Sequence, residues 1–162
     1  MIGSVINFIS LGAVVIVSAQ PESCPHGWIQ RGSSCYAFIN DVKEDWMVAM
    51  SYCNGIHAKL VEIETVAENE FIRLHLMDNN LQGEYMIGLS DVLLEGDWVW
   101  TSSQTNPIYS DWYPGQPDNY HTHEDCAILW REHGYHWNDA PCTVPYNFIC
   151  EKELSDGTDI IG

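Results

Sequence analysis

Gln116-Pro117-Asp118-Asn119-Tyr120-His121-Thr122-His123-Glu124-Asp125-Cys126 is the stretch around which the rest of the chain reads as organised. Its eleven residues hold three carboxylates (Asp118, Glu124, Asp125), two side-chain amides (Gln116, Asn119), a proline and a tyrosine. A short way downstream, Trp137-Asn138-Asp139 adds another amide and another carboxylate. Hard divalent cations take oxygens of this kind, and calcium accepts about 6–8 of them in flexible geometry. Gln116, Asp118, Glu124, Asn138 and Asp139 therefore form a candidate cage with three negative charges, which like-charge repulsion makes costly without a cation. The mixture of acids and amides has a further logic. A vicinal diol adds two oxygens to a caged ion, and each hydroxyl can donate to an acid and accept from an amide of the same cage.

At 162 residues the chain has the size of one domain with a real hydrophobic core. Residues 1–19 carry no charged side chain, and an apolar run from Val5 to Val17 is broken only by Asn7, Ser10 and Gly12. Val17-Ser18-Ala19 ends it with small residues, so 1–19 reads as a secretory signal peptide and the mature chain as starting at Gln20, although the usual basic residue near the start is missing. A single domain over 20–153 and a short acidic tail over 154–162 complete the organisation. No other segment is apolar enough to span a membrane. Six cysteines follow the signal, none in a Cys-x-x-Cys pair, so zinc and redox readings lack their usual spacing. An even number in an exported chain points to three disulfides, with the pairing left open. The formal charge of −17 argues against nucleic acid and anionic membranes as partners.

Along the chain, Cys24 and Cys35 bracket a short segment that reads as a stapled hairpin, with a strand over 33–39. Apolar residues at 46, 49, 50 and 53 mark one face of a helix, with Asp45 as N-cap and Gly55 as its stop. Residues 58–63 alternate as a strand, and Thr65-Val66-Ala67-Glu68 fits a capping box that opens a second helix through Met77. Short strands follow over 85–89, 97–100, 126–130 and 147–150. From Thr101 to Pro145 the chain is rich in Pro, Gly, Asn and Asp but also in Trp and Tyr, a texture of functional loops rather than of disorder.

Several pieces in order carry a resemblance: Cys-Pro-His-Gly-Trp at 24–28, Cys-Tyr at 35–36, Ile-Gly-Leu at 87–89 and Glu-Gly-Asp-Trp-Val-Trp at 95–100. Gln-Pro-Asp at 116–118, Glu-Asp-Cys at 124–126, Trp-Asn-Asp at 137–139 and Phe-Ile-Cys at 148–150 complete them. Together they resemble the C-type lectin domain, from Cys24 to Cys150. The resemblance implies an α+β fold of two helices, small antiparallel sheets and a long calcium-binding loop region. It implies the disulfides Cys24–Cys35, Cys53–Cys150 and Cys126–Cys142, and a cis Pro117 that turns Gln116 and Asp118 toward one ion. Met86 departs from the family, which usually has Trp there.

By position, the family's principal calcium ligands fall on Gln116, Asp118, Glu124, Asn138 and Asp139. Family positions for an auxiliary calcium fall on Asp91, Glu95, Asn119 and Asp125, with Glu124 shared. In the family Gln-Pro-Asp goes with galactose-type sugars and Glu-Pro-Asn with mannose-type, because exchanging acid and amide reverses which hydroxyl edge finds a donor. The implied sugar contacts are Gln116, Asp118, Tyr120, Glu124 and Asn138, with Tyr120 offering a ring to the apolar face of the sugar.

With these residues, the resemblance implies a secreted, calcium-dependent, non-enzymatic binder of galactose- or N-acetylgalactosamine-containing glycans, acting in innate glycan recognition or agglutination, with homo-oligomers supplying avidity. The alternative is a non-sugar interaction protein on the same fold, ice-binding or protein-binding. The clustered acids and histidines bring no recognisable nucleophile for a hydrolase. His121 and His123 flank the cage, and with His133 and His136 they match no recognised zinc spacing. They imply instead that acid weakens calcium binding, since histidine gains charge near pH ~6.5. The seven tryptophans read as core and loop anchors, Trp112 alone being a candidate sugar contact.

Overall fold

The computed structural model describes residues 23–154. The signal peptide read over 1–19 and the tail beyond Leu154 lie outside the described residues.

β1 (Ile29–Arg31) and β2 (Ser34–Glu44) form an antiparallel hairpin, and the Cys24–Cys35 disulfide ties the chain before β1 to the start of β2. Helix α1 (Trp46–Gly55) starts where the Asp45 carboxylate accepts the Val48 N–H at 2.9 Å, the N-cap the sequence predicts. It buries Trp46, Ala49 and Cys53. In α2 (Val66–Asp78) the Thr65 hydroxyl accepts the Glu68 N–H at 3.2 Å. The returning arm of the capping box differs from expectation: Glu68 accepts the N–H of Glu64 at 3.0 Å. Its other oxygen takes the buried Tyr36 hydroxyl at 2.7 Å, and this tie to β2 redirects the carboxylate.

Six further strands follow: β3 (Lys59–Leu60), β4 (Tyr85–Ser90), β5 (Val99–Trp100), β6 (Cys126–Trp130), β7 (His136–Ala140) and β8 (Tyr146–Glu153). The sheet runs β1-β2-β8-β4-β6-β7, with β3 paired to β8 and β5 to β4. Its pairs are antiparallel except β4–β8, which is parallel. The strand predicted over 58–63 shrinks to two residues. After Leu60 the chain leaves the ladder and bridges two strands: the Val61 N–H donates to Ile149 at 2.9 Å, and the Val61 carbonyl accepts from Gly88 at 2.8 Å. Gly88 permits that approach, since a Cβ there would meet the Leu60 carbonyl oxygen at 2.8 Å. The sequence predicts loop over the residues of β7, whose alternation is polar, and the ladder to β6 is what makes them a strand.

The core has two parts. One gathers Val61, Ile63, Ile72, Leu76, Ile87, Trp100, Leu129 and Trp137 with α2. The other sets Trp46, Ala49, Leu60, Ile128 and Phe148 around α1, and Met86 is fully buried there. Cys53–Cys150 joins α1 to β8 across 97 residues, and Cys126–Cys142 closes the start of β6 onto the segment after β7. All three pairings are those the resemblance implies.

Candidate functional site

The loops that carry the acids rest on β7. One edge of β7 pairs with β6, setting Ile128 opposite Asn138 and Ala127 opposite Asp139. The other edge is held by an irregular segment: Trp137 donates its N–H to Asp111 at 2.9 Å and its carbonyl accepts the Tyr113 N–H at 2.8 Å. A turn closed by the Gln116 N–H on the Tyr113 carbonyl, 2.8 Å, then leads into the Gln116–Pro117 bond, which is cis.

Beneath this segment lies a polar network that sequence reasoning missed. The Trp137 indole N–H donates to Asn69 of α2 at 2.9 Å, and the Asn69 amide donates to Asp111 at 2.7 Å. Asp111 also takes His136 Nδ1 at 2.9 Å, while Arg73 reaches His136 Nε2 at 3.1 Å and the Gly134 carbonyl at 2.8 Å. The network anchors β7 to α2. Its members are far apart in sequence, so no local pattern could reveal it.

Asp118, Glu124 and Asp139 each place a carboxylate oxygen within 4.8 Å of the others, and no histidine joins them. Asp139 is fully buried and accepts the backbone N–H groups of Asp118 at 3.2 Å and Asn119 at 2.6 Å. Glu124 accepts the Tyr120 N–H at 3.1 Å. Burial raises the Asp139 carboxyl above the ordinary carboxylate range, against the pull of those two N–H groups, with the Asp118 charge adding to the rise. Burial likewise raises Glu124, and the neighbouring charge of Asp139 adds to it.

Gln116 and Asn138 supply the amides. Their carbonyl oxygens, Oε1 and Oδ1, are buried with no hydrogen-bond partner, while the Asn138 amide nitrogen donates to the Asp139 carbonyl. An unpaired buried acceptor costs about 1–3 kcal/mol. Three crowded carboxylates and two unpaired neutral oxygens are a donor set of the hard-oxygen type that calcium takes, so the residues present fit that ion.

The auxiliary set is less gathered. Asp91 is buried at the end of β4, with one oxygen on the Gly96 N–H at 2.8 Å and the other without a partner. Burial raises its carboxyl, with the charges of Glu95 and Asp125 adding to the effect. Asn119 turns its amide nitrogen to Glu95 and its oxygen to the Glu124 N–H at 3.1 Å, so both ends of this side chain are engaged. Asp125 approaches Asp91 through backbone, its carbonyl accepting the Asp91 N–H at 3.2 Å. Among the described residues, Asp91, Glu95 and Asp125 do not form a cluster of the kind Asp118, Glu124 and Asp139 make.

Between the acids the chain turns through Asn119, His121 and Thr122 with φ of +44°, +59° and +61°. Such conformations cost about 1–3 kcal/mol each outside glycine and persist where the surroundings impose them. Here the N–H bonds to Asp139 and Glu124 do so. Tyr120 at the crest is 62% exposed, its ring centroid 4.0 Å from that of His121. His123 is exposed. Trp112 sits lower, its ring tilted edgewise onto Trp98 and Trp137 with centroids 4.7 and 5.8 Å away, so it forms part of the floor under the loop.

Known proteins resemble this chain in sequence or in structure. Perlucin of Haliotis laevigata is 40% identical over 131 residues, covering 80% of this chain and 83% of its own. The carbohydrate-recognition domain of the mouse scavenger receptor C-type lectin superposes with a TM-score of 0.75 at 34% identity, covering 82% of this chain and 100% of its own. A calcium-independent type II antifreeze protein superposes with a TM-score of 0.71 at 25% identity, covering 82% of this chain and 95% of its own. The family model for the lectin C-type domain matches residues 42–152. With that match and a relative at 40% identity, this chain belongs to the C-type lectin domain family, a family of non-enzymatic carbohydrate-binding domains.

Proposed function

We propose that this chain is a secreted lectin that binds galactose-type sugars, galactose or N-acetylgalactosamine, through calcium held by Gln116, Asp118, Glu124, Asn138 and Asp139. The observation that carries the reading is the set of three carboxylates within 4.8 Å, together with the buried amide oxygens of Gln116 and Asn138 that lack donors. A bound calcium ion supplies the positive charge that relieves the carboxylates and draws two vicinal sugar hydroxyls to the cage. The chain's own groups then set the direction of each hydroxyl. Asp118 and Glu124 accept sugar O–H donors, and the Gln116 amide N–H group donates to a hydroxyl oxygen. With the amide at 116 and the acid at 118, the order of donor and acceptor is the galactose-type one. Tyr120, exposed beside the cage, offers its ring to the apolar face of the sugar. Asp91, Glu95, Asn119 and Asp125 are proposed only as a weaker auxiliary set, since the Asn119 side chain is already engaged at both ends.

Three disulfides suit an oxidising compartment, and the charge-poor segment over 1–19 suits export. Among the described residues no helix is long and apolar enough to cross a membrane. A single shallow site binds weakly, so several copies acting together give useful avidity, and a homo-oligomer recognising microbial or other glycans fits that need.

The test loads the secreted protein, in calcium, onto galactose and mannose resins and then elutes with a chelator. Retention on galactose with release by chelator is expected; retention on mannose alone, or on galactose despite chelator, overturns the reading. A non-sugar interaction protein is the second reading, favoured by the likeness to a calcium-independent antifreeze protein. It expects no chelator-sensitive retention on either resin and no stabilisation by calcium.

A further inference from the structure

Beside the cage, on the side of its two amides, three aromatic rings form a compact group: Tyr113, Trp130 and His133. The His133 ring lies between the others, 4.0 Å from Tyr113 and 3.9 Å from Trp130, while Tyr113 and Trp130 meet edge to face at 5.7 Å. All three are partly exposed. They come from separate elements: the turn into Gln116, the end of β6, and the short 3₁₀ turn of residues Arg131–His133.

Two independent pieces of backbone geometry place this group against the cage. Tyr113 and Gln116 are the ends of one tight turn, closed at 2.8 Å, and such ends lie less than about 7 Å apart between Cα atoms. Trp130 is paired with His136, and Ile128 with Asn138, so Trp130 and Asn138 share a face of the sheet as diagonal neighbours. Diagonal neighbours stand about 7–8 Å apart. The rings thus adjoin both amide residues, while the Tyr120 ring packs against His121 instead.

We infer that Tyr113, His133 and Trp130 form a second saccharide subsite, which stacks on the sugar unit linked to the one held at the cage. This inference rests on the calcium reading above and extends it from a single sugar to an oligosaccharide. Aromatic rings match the C–H faces of a pyranose, and the continuity of this surface with Gln116 and Asn138 identifies the occupant as the next unit of the same glycan. The terminal galactose meets acids and amides, while its neighbour meets rings and needs no ion.

Calorimetry in calcium tests the subsite, with methyl β-galactoside and a linear tetrasaccharide ending in β-galactose as probes. The parent chain should bind the tetrasaccharide about threefold to tenfold more tightly. Tyr113→Ala and His133→Ala, both outside the core, should each reduce the tetrasaccharide to the affinity of the monosaccharide, with monosaccharide binding and its loss in chelator retained. Equal affinity of the parent chain for both probes, or a preference that survives both substitutions, overturns the subsite alone. A parent chain whose binding of methyl β-galactoside does not depend on calcium overturns the calcium reading and the subsite with it.

Discussion

This molecule holds carboxylates in two different ways. In the frame, Glu62, Glu68 and Glu151 are almost fully buried, and each is satisfied by donors from elsewhere in the chain. Glu62 takes the N–H groups of Ser102 and Ser103 at 3.0 and 2.9 Å and the Lys59 ammonium at 2.9 Å. Glu68 takes the Tyr36 hydroxyl, and Glu151 the Ser34 hydroxyl at 2.9 Å. At the candidate cage, Asp118 and Glu124 of the loops and Asp139 of β7 crowd together, and the amide oxygens of their chain neighbours Gln116 and Asn138 have no donor. Each frame acid has donors of its own within the fold, whereas the three cage acids face one another's charge. A buried carboxylate whose donors all lie within the fold needs no ion, so burial alone does not mark a binding site.

The largest effect that would test this contrast is on the frame. Glu62→Ala leaves two backbone N–H groups without their acceptor and takes from Lys59 the nearer of its two carboxylates, and should cost about 3–5 kcal/mol in chemical denaturation. Calcium titration of the protein that remains folded should be unchanged. Next is Asn138→Ala, which removes a neutral ligand and should weaken calcium-dependent galactose binding by roughly a hundredfold or more, since even outer-shell changes cost about 10–100-fold. Its melting temperature in chelator should stay near that of the parent chain. A large loss of stability there would mean that Asn138 belongs with the frame.

Acidity gives a smaller and graded effect. Burial raises the carboxyls of Glu124 and Asp139, so in the folded chain without an ion their contribution to stability is present at low pH and is lost as pH rises through the raised values. A cation competes with those same protons. The rise in melting temperature caused by calcium should therefore be greatest near pH ~7 and shrink toward pH ~5, as scanning calorimetry at both values can read. An undiminished calcium effect in acid would break the argument from crowding. Smallest is Tyr120→Ala, expected to weaken galactose binding by about 0.5–1.5 kcal/mol while leaving calcium affinity intact.

Much of the frame was legible because its signals are local. Asp45 and Thr65 start their helices as the sequence predicts, since a cap needs only a side chain and an N–H three residues on. The strand over 126–130 was read at its observed bounds. β7 was not legible, because His136-Trp137-Asn138-Asp139-Ala140 has too few apolar residues to read as a strand until β6 and the 111–113 segment flank it. The return arm of Glu68 departs from the capping box because its partners include Tyr36, 32 residues away. The small antiparallel sheets expected proved to be one sheet with a parallel β4–β8 pair, a long-range choice that alternation does not encode.

For the stretch from Gln116 to Cys126, the sequence by itself determined the chemical inventory: which acids and amides are at hand, their order, and the family they resemble. Residue types and their sequence order are fixed by the covalent chain. Only the tertiary structure decided that Asp118, Glu124 and Asp139 converge while Asp91, Glu95 and Asp125 do not, and that the amide oxygens of Gln116 and Asn138 are buried unpaired. It alone brought Tyr113, Trp130 and His133 together at the edge of the site. The physical reason is common to all three. Coordination, unmet hydrogen bonding and ring stacking depend on distances of a few ångströms between residues far apart in the chain, and those are set by β7, the strand that only long-range pairing reveals.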